Sequence, residues 1–153
     1  MIIRFLIALM SVILLSCNPA KEDNELKQTA NPIEGTWKLM TGTLIENGDT
    51  AVTEYSGNTS FIKIINKTHF AFLQHDLKKQ KDSASFSAGG GKYELNDSSY
   101  TEHLEYCNAR EWEGNDFKFT VAINNDTLVQ SGIEKVESAG VNRINIEKYV
   151  RLK

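Results

Sequence analysis

The 153-residue chain carries 17 basic and 20 acidic side chains, a formal charge of −3, with its lysines scattered along its length. Nucleic-acid binding needs a basic face, so this balance excludes it from the expected roles. The length suits one domain behind a leader, large enough to bury a core without disulfides.

The leader comes first. Arg4 precedes an apolar run over residues 5–15 broken only by Ser11. That is shorter than the roughly 20 apolar residues a spanning helix needs, and it suits the core of a secretory signal. The run ends Leu14-Leu15-Ser16-Cys17, which resembles the bacterial lipobox, with Cys17 as the lipidated residue and new N-terminus. The alternative is an ordinary secretory signal with a chance cysteine. Residues 1–16 are thus expected to be a lipoprotein signal peptide, 17–32 a lipidated cysteine and polar tether, and 33–153 the folded domain. Asn18 is not the aspartate associated with inner-membrane retention. The expected location is therefore the bacterial outer membrane, lipid-anchored and facing the periplasm or the surface. With Cys17 lipidated, Cys107 has no intramolecular disulfide partner and reads as a half-buried structural thiol.

Beyond residue 32 the pattern is that of strands, with no helical period sustained over ten residues. Strands are expected at 36–46, 60–66, 69–75, 86–95, 99–107, 116–124, 127–133 and 144–152, with 49–55 as a ninth after a turn at Asn47-Gly48. Asn66-Lys67-Thr68, Asn96-Asp97-Ser98 and Asn124-Asn125-Asp126 are Asx-rich turns, and loops this short join only antiparallel neighbours. Phe117, Phe119, Val121 and Ile123 alternate with Lys118, Thr120 and Ala122, one dry face and one wet. An open sheet of such strands would expose two edges and an apolar face. The expected fold is therefore all-β, a small antiparallel up-and-down β-barrel of eight to nine strands. The run Gly89-Gly90-Gly91 fits a sharp bend or a close backbone approach; a phosphate-cradling loop would need a following helix, and Lys92-Tyr93-Glu94-Leu95 is strand-like.

Gly35-Thr36-Trp37 opens the first strand and Arg151 lies near the end of the last. This resembles the calycin signature of lipocalins and fatty-acid-binding proteins, in which a basic residue from the final strand covers the indole and closes one end. Together with Thr68–Phe72, Ala88–Tyr93, Tyr100–Tyr106 and Asp126-Thr127-Leu128, the chain is similar over about 33–152 to the lipocalin-like lipoproteins of Bacteroidetes. The resemblance implies a lipocalin-like barrel closed by Gly35, Trp37 and Arg151. It lacks the helical lid of fatty-acid-binding proteins, because no helical insertion follows the first strand.

Glu102 shares strand parity with Tyr100, Leu104 and Tyr106, which places a carboxylate among aromatics if that face is the interior. It is then either a ligand anchor or acid, or a structural carboxylate bonded to tyrosine hydroxyls or a lysine. With the faces reversed, Thr101, His103 and Glu105 point inward instead. Phe61, Phe72, Tyr93, Tyr106 and Phe119 either fill the barrel or line a pocket, and Gln130 would join Glu102 as a polar anchor. His69 and His75 lie about 20 Å apart along one strand, and His103 is on another, so no metal site is expected. Haem held by His103 is an outlying alternative, and no cofactor is expected. No Gly-x-Ser-x-Gly elbow occurs, and Glu102 and Glu105 have opposite parity, so an enzyme is not expected. The expected function is binding of a small apolar or amphipathic ligand at the open end of a membrane-tethered barrel. The alternative is a filled barrel that presents loops 76–83 and 108–115, the latter around an exposed Trp112, to an envelope protein partner.

Overall fold

In the computed structural model of the protein, residues 31–78 and 85–153 are described. The expected leader, Cys17, most of the tether, and the tip of the 76–83 loop lie outside them.

Nine strands form one antiparallel sheet: β1 (Gly35–Glu46), β2 (Asp49–Glu54), β3 (Thr59–Ile65), β4 (His69–Asp76), β5 (Phe86–Asn96), β6 (Ser99–Cys107), β7 (Asp116–Asn124), β8 (Thr127–Val136) and β9 (Val141–Arg151). Each strand from β3 to β9 pairs with the next, and β1 pairs with both β3 and β9, so eight strands close into a barrel. The ninth, β2, lies outside the closure. The first part of β1, up to Lys38, pairs with β3, and from Thr41 onward the same edge pairs with β2.

Turn chemistry fixes the hairpins. Asn47, Asp97 and Asn125 each sit at φ 53, the left-handed conformation that Asx side chains tolerate in two-residue turns. The β8–β9 hairpin is longer than its apolar pattern suggested, running to Val136 and Val141 around a 3₁₀ turn (Glu137–Ala139) and a left-handed Gly140.

The glycine run makes a close approach possible. Opposite Gly90 and Gly91 the register of β6 shifts, Gly90 facing Tyr106 and Gly91 facing Leu104, so Glu105 is a β-bulge. A Cβ on Gly91 would overlap the His103 carbonyl oxygen and crowd the Glu105 nitrogen. Gly91→Ala should therefore cost about 1–3 kcal/mol in urea unfolding. Gly57→Ala, where nothing lies nearby, should stay within about 0.5 kcal/mol. Equal effects at the two positions would remove the steric explanation.

The core runs down the barrel axis. Ile33, Trp37, Leu39, Ile65, Phe70, Tyr100, Leu128 and Tyr149 pack the closed end and middle. Arg151 seals that end, its guanidinium 4.0 Å from the centre of the Trp37 ring and bonded to the carbonyls of Glu34 and Pro32. The described part of the barrel is thus filled below and hollow above.

Candidate functional site

Above the packed layer lies a cavity of about 330 Å³. That volume is at the small end of the range for ligand pockets, roughly 300–1,000 Å³. Phe61, Phe72, Leu104, Phe117 and Phe119 form its apolar wall, and Phe61 stacks on Phe72 with ring centres 5.7 Å apart. Each reaches inward because its strand alternates from a buried position below: Phe61 from Ile65, Phe72 from Phe70, Phe119 from Val121.

The floor is polar. Lys63 Nζ donates to Glu102 Oε1 at 2.7 Å and to Gln130 Oε1 at 3.1 Å, and lies 3.9 Å from Glu147 Oε2. Lys63, Glu102 and Gln130 are all buried. A second group occupies the β8–β9 wall, where Glu134 accepts from Arg143 Nε at 2.7 Å and from Asn145 Nδ2 at 2.8 Å. Burial depresses the Lys63 pKa, but Glu102 and Glu147 outweigh it and the net direction is upward. Burial also pushes the Glu102 carboxyl upward, with Lys63 offsetting only part of the effect. The two directions have different causes: neighbouring carboxylates keep Lys63 protonated, whereas burial is what raises Glu102.

The expected ligand-facing residues divide by depth and by face. Phe61, Phe72, Glu102, Phe119 and Gln130 line the cavity. Tyr93 and Tyr100 face inward but sit lower, their rings 5.3 Å apart, and the Tyr93 hydroxyl bonds to the Asn66 carbonyl. The Tyr100 hydroxyl is buried near Glu102 without a well-directed hydrogen bond among the described residues; burial and that carboxylate hold its pKa well above the usual value. Tyr106 is a correction. The bulge at Glu105 reverses the parity of β6, so Tyr106 points outward, 66% exposed, and Cys107 takes the inward position on the cavity.

Trp112 is another correction. It is half-buried rather than an exposed loop residue, packs 5.7 Å from Phe117, lies under the Arg143 guanidinium and borders the cavity. His103 faces outward, with Nδ1 2.7 Å from Asp116, which argues against an axial role inside the barrel. Among the described residues no three His, Cys, Asp or Glu side chains converge as metal ligands.

No protein-family model and no curated protein matches this chain. What the site can do follows from its own geometry. That geometry can desolvate a small apolar body against aromatic rings while offering charged and amide groups to one polar end.

Sequence reasoning missed Lys63, Asn145, Glu147 and Arg143, all of which line the cavity. Strand parity was the available signal for Lys63, which lies between the inward Phe61 and Ile65. On β9 the signal misleads around the cavity, because Arg143, Asn145 and Glu147 face in and Ile144 and Ile146 face out.

Proposed function

We propose that this protein is a lipid-anchored envelope protein whose lipocalin-like barrel binds a small amphipathic ligand at its open end. One observation carries the binding role: a pocket-sized hollow walled by aromatics above a buried polar floor. A barrel that served only as a scaffold would be expected to pack this space, because an unfilled apolar void costs stability. The lipocalin likeness is supported by the Gly35, Trp37 and Arg151 contact at the closed end, and the anchor by the Ser16-Cys17 junction. Outer-membrane placement rests on Asn18 following that cysteine.

Native mass spectrometry of protein purified from its own host is the direct test. The expected spectrum contains a barrel carrying a non-covalent small molecule that is lost at higher collision energy. An empty barrel co-purifying with another envelope protein would overturn the proposal.

That second outcome is the reading favoured by one feature of the outside. All six residues of β2 are exposed, Val52 among them at 61%, and across β1 on the same outer face Ile144 on β9 and Ile133 on β8 are 40% and 61% exposed. An open strand edge carrying an exposed Val52 suits strand addition by a protein partner. In this reading the contact surface is the β2 edge rather than the loop that holds Trp112.

A further inference from the structure

The charges around the cavity do not cancel. Glu102, Glu134 and Glu147 face Lys63 and Arg143, three carboxylates against two cations. Two of the carboxylates have close partners: Glu102 has Lys63 at 2.7 Å, and Glu134 has Arg143 at 2.7 Å. Glu147 is the residue left over. Its Oε2 accepts from the Tyr149 hydroxyl at 2.8 Å, Lys63 is 3.9 Å away and already engaged, and Oε1 has no partner among the described residues. Glu147 pairs across β1 with Gly42, and the Tyr55 ring packs against that glycine, its Cε2 3.3 Å from where a Cβ would lie, so a phenol ring is near the carboxylate. Across β8 it faces Gln130, 1% exposed, whose amide nitrogen likewise has no partner among the described residues. The rings of Tyr55, Phe61 and Phe72 line the same cavity.

We infer that the ligand is a small cationic amphiphile, an amine whose ammonium group pairs with Glu147 while its apolar body lies against the phenylalanine wall. This deepens the binding role proposed above and rests on it. An ammonium at this point brings the lining to neutrality, and an aromatic-lined cavity favours a cation over an anion. A carboxylate ligand would instead add a second uncompensated negative charge in a water-poor site, where like charges interact strongly.

Titration calorimetry of the full-length protein with n-octylamine, n-octanol and n-octanoate at neutral pH tests the inference. Octylamine should bind at least about tenfold more tightly than octanol, and octanoate most weakly. In Glu147→Gln the ratio of octylamine to octanol affinity should shrink to within about threefold. Octanoate binding as tightly as octylamine would overturn the charge assignment while leaving the pocket intact. An undiminished amine preference in Glu147→Gln would overturn the role of that residue. Absence of binding by all three probes, neutral octanol included, would remove the pocket reading and this inference with it.

Discussion

Lys63→Met should lower unfolding stability by about 3–5 kcal/mol, seen as a reduced urea midpoint with an unchanged slope. The lysine is 2% exposed and holds Glu102, Gln130 and Glu147 around one ammonium. Methionine fills similar space but leaves Glu102 as a buried carboxylate with no cation. A buried ion pair adds little over apolar packing, whereas half of one is costly. The double variant Lys63→Met with Glu102→Leu should therefore recover most of the loss.

The pH dependence gives a second check. The folded pKa of Glu102 is already raised by burial, and losing Lys63 raises it further. A carboxyl whose folded pKa exceeds its unfolded value near 4.5 costs nothing below that value and its full penalty above the folded one. The Lys63→Met deficit should thus shrink as pH falls from 8 toward 5. A deficit below about 1 kcal/mol, or one that grows in acid, would mean that the floor is hydrated rather than dry.

The residues that defined the barrel were local in their logic. Asn47-Gly48, Asp97 and Asn125 mark two-residue turns by chemistry alone, and β7 alternates without exception from Phe117 to Ile123. The expected strands consequently fall within a few residues of those observed. The site was less legible because it depends on long-range register. Tyr106 changes face through a single bulged residue on β6, an event fixed by the lack of side chains on β5. Lys63 lies in Phe61-Ile62-Lys63-Ile64-Ile65, apolar on both parities, and only closure of the barrel shows which side is interior. On β9 the polar residues Asn145 and Glu147 face in and two isoleucines face out, so hydrophobicity points to the wrong face. Interior polarity of this kind has a local cost, and it occurs where the barrel is hollow.

The closed end should show the opposite character, large effects on stability and none on binding. Trp37 is fully buried and its Nε1 donates to the Ile33 carbonyl at 2.8 Å, which ties the entering chain across the barrel floor. Arg151 lies over the indole and donates to the carbonyls of Glu34 at 2.6 Å and Pro32 at 2.5 Å. Gly35, at φ 144, leaves the space that this guanidinium occupies. Trp37→Ala should cost about 3–5 kcal/mol from lost burial and the cavity left behind. Arg151→Met should cost about 1–3 kcal/mol through the charge-assisted carbonyl bonds and the ring contact. Because the two side chains touch, their losses should not add: the double variant should fall short of the sum by about 0.5–2 kcal/mol. Strict additivity would mean that the stacked contact contributes nothing and that Arg151 acts only through the carbonyls. Octanol affinity in Arg151→Met should remain unchanged, since neither residue borders the cavity. A coupled loss of binding would instead show that the seal at one end sets the shape of the hollow at the other.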